Sequence, residues 1–136
     1  MVLLIETEKL ERFSTNARIK LMSSPYFYHG TTKLYEESIR LRGLLAHSGR
    51  KNWVSLSKDD SVYFTSDKEE AKWFGKNGPM FPIRCELILV KIPADFVLSH
   101  IDELEEDAVV NNGQCFLLHV DIPPEILTIE EVERCT

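Results

Sequence analysis

The chain has 136 residues, of which 43% are hydrophobic and 28% charged. That is enough for one domain with its own core, and too apolar a composition for a disordered segment. Sixteen basic against 22 acidic residues leave a net charge of -6, which argues against broad, non-specific nucleic-acid binding, because that needs a basic face. No apolar run reaches the ~18 residues of a membrane span. Met1 to Ile5 is apolar, but Glu6, Glu8 and Glu11 follow at once, unlike a signal peptide. Cys85, Cys115 and Cys135 are odd in number and lack a Cys-x-x-Cys spacing, so reduced cysteines, a cytoplasmic location and no membrane partner are expected.

In chain order, Leu10, Phe13, Ala17 and Leu21 fall on one face of a helix over 5–22. Ser23-Ser24-Pro25 ends it. Residues 1–24 read as a helical extension packed against a domain of residues 25–136. Tyr26-Phe27-Tyr28-His29 has the aromatic content of a strand. Gly30, without a Cβ, admits close approach of a ligand to the backbone. Thr31 and Thr32 either offer hydroxyls to that ligand or supply a cap for a helix over 33–42, which Gly43 stops. Residues 46–52 read as an exposed basic loop in which His47, Arg50 and Lys51 could touch an anion. Short strands follow at 53–57 and 61–65. Ser66-x-x-Glu69 has the spacing of a capping box for the next helix, with Ala71, Trp73 and Phe74 on its buried side. The apolar run within 83–92 predicts a central strand that ends at Pro93. Residues 99–113 are acidic and read as a solvated helix or loop. A strand over 114–120 and a last one near 126–132 complete an α+β domain.

Two segments share one design. Tyr28-His29-Gly30-Thr31 and Tyr63-Phe64-Thr65-Ser66 are aromatic strands that end in a small hydroxyl residue and run into a helix. Gln114 then opens a later apolar strand. In these motifs, and in Ile39 to Leu44 with its Ile-x-x-x-Gly-Leu pattern, the chain resembles the ADP-ribosyltransferase superfamily of the diphtheria-toxin and poly-ADP-ribose polymerase type. It looks especially similar to the small rifampicin ADP-ribosyltransferases. The resemblance spans residues 26–129. It implies a split, mixed or antiparallel β-sheet with flanking helices and NAD in the cleft as substrate. His29 would hydrogen-bond the adenosine ribose, Gly30 would read the nicotinamide amide, and Tyr63 would stack on the nicotinamide ring. Thr31, Thr32, Phe64, Thr65 and Phe74 complete the expected binding set. Nicotinamide in NAD is a planar cation, so an aromatic face attracts it. Loss of nicotinamide passes through an oxocarbenium-like state, which needs orientation and electrostatic stabilisation more than a strong base.

The third catalytic position is an acid in most of these transferases. By strand position it is Gln114 here, which can hydrogen-bond a ribose but carries no charge. The rifampicin-type enzymes take an Asp from the preceding loop, where Asp102, Glu103 or Asp107 could serve. The resemblance implies transfer of ADP-ribose from NAD to a protein, nucleic-acid or small-molecule acceptor. A non-catalytic module of the same fold that binds NAD, ADP-ribose or a protein is an alternative, which Gln114 favours. An NAD-dependent RNA 2′-phosphotransferase is another, which the acidic composition disfavours. His29, His47, His100 and His119 lack metal spacing, and no metal is expected. His119 reads as a structural strand residue, and Trp53 and Trp73 as core.

Overall fold

A computed structural model describes residues 7–46, 61–77, 86–110 and 112–133. The expected strand at 53–57, most of the basic loop, and Cys85 and Cys135 lie outside them. The described residues form β1 (Tyr26–Thr32), β2 (Val62–Thr65), β3 (Leu87–Pro93), β4 (Leu104–Glu106), β5 (Cys115–Leu118) and β6 (Thr128–Glu133). Around them lie helices α1 (Thr7–Leu10), α2 (Thr15–Ser23), α3 (Glu36–Arg42), α4 (Lys68–Lys76) and α5 (Ala94–Ser99). The architecture is mixed α and β with one six-stranded sheet, ordered β4-β5-β2-β1-β3-β6. Every strand pairing among the described residues is antiparallel, so the sheet has no mixed character there.

Strand alternation gives this sheet two buried faces. One carries Phe27, Phe64, Phe116, Ile88 and Val90, and it is covered by Phe13, Ala17 and Leu21 from the N-terminal segment and by Val97 of α5. Phe27 meets Phe64 and Phe116 edge-on at ring-centroid separations of 5.4 and 5.7 Å, a geometry that aromatic quadrupoles favour. The other face lies under α4. Its Leu87, Leu89, Cys115 and Leu117 are as deeply buried as the first core. β3 is therefore internal and covered on both sides, as its continuous apolar run implies.

The N-terminal helix is broken, contrary to the single helix expected. The chain leaves α1 at Leu10 and re-enters α2 behind Ser14, whose side chain accepts a hydrogen bond from Ala17 N–H as the N-cap. Ser14 N–H and Oγ–H both donate to Glu106 on β4, each at 2.8 Å. Arg12 donates to the carbonyls of Ile101 and Leu104, and Asn16 to that of Asn112. The helical segment is thus tied to the β4–β5 region as well as packed in the core. Ser14→Ala should cost about 1–2 kcal/mol, the range of a lost N-cap, readable as a lower denaturant midpoint. A segment merely resting on the domain would show no change.

Two further expectations are corrected. The cap of α4 is Asp67, which accepts from Glu69 N–H. Ser66 Oγ is buried without a hydrogen-bond partner among the described residues, so the Ser66–Glu69 box does not form. The acidic run is not a purely solvated segment. It contains β4, whose Glu105 and Glu106 lie opposite Leu117 and Phe116. Its Asp107 is only 8% exposed. Acidic residues suit an edge strand, which must resist further pairing, and among the described strands β4 lies at the edge.

Candidate functional site

The sheet divides between β1 and β2. β1 pairs with β3 from Tyr26 to Thr32, but it meets β2 in register only at Tyr28 and Thr65. Where the ladder lapses, His29 takes over. Its Nδ1 lies 2.6 Å from the carbonyl oxygen of Tyr63. A carbonyl can only accept, so Nδ1 carries the proton and donates. In the neutral ring Nε2 is then an acceptor, suited to a hydroxyl. Burial holds the His29 pKa below its ordinary value of 6.5, with the bond to Tyr63 opposing in part.

This lowered pKa carries a pH consequence. Between the folded and unfolded pKa values only the unfolded chain binds the extra proton, so acid favours unfolding. The stability is complete above about 6.5 and is lost as pH falls through the lower folded-state value. Thermal melts from pH 8 to 5 should show this decline, and His29→Gln should flatten it.

A pocket of about 190 Å³ opens at the divergence. β1 contributes Tyr28, His29 and Gly30, and β2 contributes Tyr63, Phe64 and Thr65. α4 contributes Ala71, Trp73 and Phe74, and Asp107, Val109, Val110 and Cys115 complete the lining. Of the residues expected from the sequence, the pocket brings together His29, Gly30, Tyr63, Phe64, Thr65 and Phe74. Thr31 and Thr32 do not line it. Both are buried, and Thr32 caps the 3-10 turn that follows by accepting from Leu34 N–H. Gln114 does not line it either. Its N–H donates to Asn112 Oδ1 and its carbonyl accepts from Ser66 N–H, while the next residue, Cys115, faces the pocket.

The carboxylate among the residues that line the pocket is Asp107. Its Oδ1 accepts from the N–H groups of Val109 and Val110, which fixes the side chain, and its N–H donates to Cys115 carbonyl. Asp102 is instead exposed and ion-paired with Lys9, and Glu103 is exposed in a 3-10 turn. In the fold Asp107 closes an Asx turn, its carboxylate accepting from the N–H groups two and three residues on. Nothing in the acidic run distinguished it from its neighbours without the fold.

Trp73 was expected in the core. It is 54% exposed on the pocket rim, edge-on to Phe74 at 5.3 Å. Behind the pocket, Glu70 Oε1 accepts from Thr65 Oγ1 at 2.7 Å and from Cys115 Sγ at 3.0 Å, and its Oε2 accepts from Asn112. One carboxylate therefore joins α4, β2, β5 and the loop before β5. Burial, reinforced by Glu70, raises the Cys115 pKa strongly, so this thiol is a hydrogen-bond donor and not a nucleophile.

Gly30 is needed for a different reason from the one expected. A Cβ there would lie 1.9 Å from the Ala71 carbonyl oxygen. The close approach is that of α4 to β1, and it brings Trp73 and Phe74 to the pocket. Among the described residues no helix is long and apolar enough to cross a membrane. No protein-family model matches the sequence, and no curated protein matches it.

Proposed function

We propose that the chain is an NAD-dependent ADP-ribosyltransferase whose site is the pocket at the β1–β2 divergence. The observation that carries this reading is the convergence of His29, Gly30, Tyr63 and one carboxylate, Asp107, on a single apolar pocket. The residues present suit a nicotinamide riboside portion. Tyr63, Phe74 and Trp73 offer aromatic faces to a planar cation. His29 Nε2 is an acceptor for a ribose hydroxyl. The volume is below the ~300–1,000 Å³ of sites that enclose drug-sized ligands, so it suits a ring and part of a sugar, with the remainder of a dinucleotide across the mouth.

When bound, NAD supplies an electrophilic ribose carbon, C1′, and nicotinamide as leaving group. The chain's own part is to orient and to stabilise charge. Tyr63 holds the ring. His29, fixed through Nδ1, presents Nε2 in one direction. Asp107, fixed through Oδ1, places negative charge beside the reacting sugar, the role for which Gln114 lacks charge. Apolar walls strengthen that charge by excluding water.

Tyr63→Ala removes one wall of the ring site. A cation over an aromatic ring in a dry site is worth up to about 2 kcal/mol, so NAD affinity should fall by ~10- to 30-fold, with Tyr63→Phe close to wild type. Calorimetric titration of folded variants reads this directly, and unchanged affinity in Tyr63→Ala would remove Tyr63 from the site. One observation favours a second reading, a non-catalytic binding module. No Lys or Arg lines the pocket among the described residues, which suits an uncharged ring better than a diphosphate. Binding of nicotinamide alone, without turnover of NAD, would select it.

A further inference from the structure

Three side chains on neighbouring strands form a second hydrogen-bonded array. Ser61, just before β2, has its Oγ 3.0 Å from His119 Nδ1. His119, just after β5, pairs through Nε2 with Glu105 Oε2 on β4. A carboxylate accepts, so Nε2 carries a proton, and in the neutral ring Nδ1 is then an acceptor for the Ser61 hydroxyl. A hydroxyl, a base and a carboxylate that orients the base are the parts of an activated nucleophile.

The array shares a surface with the pocket. Tyr63 and Glu105 both lie opposite Leu117 in register, so the three form one row on one face of the sheet. Ser61 precedes Tyr63 by two residues and therefore points to that face as well, roughly 7 Å along the strand. Leu117 itself is buried, but the side chains of His119 and Glu105 remain 28% and 45% exposed, so this end of the row reaches solvent.

Building on the reading of the pocket given above, we propose that Ser61 is an ADP-ribose acceptor within this chain, activated by His119 and Glu105. The Ser61 Oγ–C1′ bond forms as the bond from C1′ to the nicotinamide nitrogen breaks. That electron pair leaves with nicotinamide, which departs neutral. The Oγ proton passes to His119 Nδ1, and Glu105 balances the resulting imidazolium. A carboxylate acceptor would bring no proton and need no base. A hydroxyl acceptor must lose one, and here the base is already in place.

The test incubates the full chain with NAD and maps its peptides by mass spectrometry, alongside calorimetric NAD binding and nicotinamide release. The expected result is an ADP-ribose adduct on Ser61 that forms at least 10-fold more slowly in His119→Gln of unchanged melting temperature. Should His119→Gln fail to fold, Glu105→Gln is the substitute, with the same expectation. Without NAD, a fluorophosphonate probe should label Ser61 in the wild type and not in the variant. NAD cleavage with no adduct on Ser61, an adduct formed equally fast by the folded variant, or no probe labelling of the wild type would each overturn the proposal. Absence of NAD binding would instead defeat the reading of the pocket, and with it the donor that Ser61 requires.

Discussion

Asp107→Asn should lower the rate of nicotinamide release by about 10²- to 10³-fold, the range seen when one preorganised electrostatic group is removed from a site. The substitution isolates charge from geometry. Asn keeps an oxygen that can accept from Val109 and Val110 N–H, so the turn that aims the side chain persists. What disappears is the negative charge beside the sugar, in a pocket whose apolar walls give that charge its strength. Binding of NAD should change far less than its cleavage, because positive charge on the ribose grows only as nicotinamide leaves. Single-turnover rates with saturating NAD measure this. A variant as fast as wild type would return the third position to Gln114 or to a residue outside the described segments.

Gly30→Ala should destabilise the fold by about 3 kcal/mol or more, the upper end of overpacking costs, and lower the Tm by roughly 10 °C. The methyl group would meet a backbone oxygen, that of Ala71, at 1.9 Å, and no rotamer change can relieve such an overlap. The helix would have to move off the strand. Gly75 makes the same contact from the other side, since a Cβ there would lie 2.9 Å from the Gly30 carbonyl carbon. Trp73 and Phe74 ride on this helix, so any surviving folded protein should also bind NAD weakly. A Gly30→Ala variant with wild-type melting would contradict the close packing of α4 on β1.

The parts of this fold that were legible in the sequence are those whose pattern is local. Phe27, Phe64 and Phe116 mark β1, β2 and β5 because aromatic and β-branched residues suit a pleated, buried surface. α4 announced itself through the Ser66-x-x-Glu69 spacing followed by Ala71, Trp73 and Phe74. Its cap did not, because Ser66 and Asp67 are adjacent and equally suited, and only the backbone at Asp67 decides between them. β4 was hidden because Leu104-Glu105-Glu106 carries edge-strand charges that read as a solvated run. α5 was hidden because Pro93, which ends β3, is also the N-cap of Ala94–Ser99. The break before Ser14 was overridden by the periodicity of Leu10, Phe13, Ala17 and Leu21, which continues across it.

The candidate site was legible to a similar extent and for a similar reason. His29, Gly30 and Tyr63 sit in strand-end motifs, and their convergence follows from antiparallel neighbours. Asp107 required the fold, because choosing among the carboxylates of residues 102–107 depends on which one the β4–β5 turn points inward. Trp73 required it too, since the side of α4 that looks buried in a helical projection becomes the rim of an opening where the sheet divides.

The most direct test of NAD-dependent transfer at this pocket is titration of the folded wild-type protein with NAD in a calorimeter, followed by the time course of nicotinamide release. Saturable binding and release are expected, with the release rate reduced in Asp107→Asn and the affinity reduced in Tyr63→Ala. A folded protein that gives no binding heat and releases no nicotinamide would contradict it.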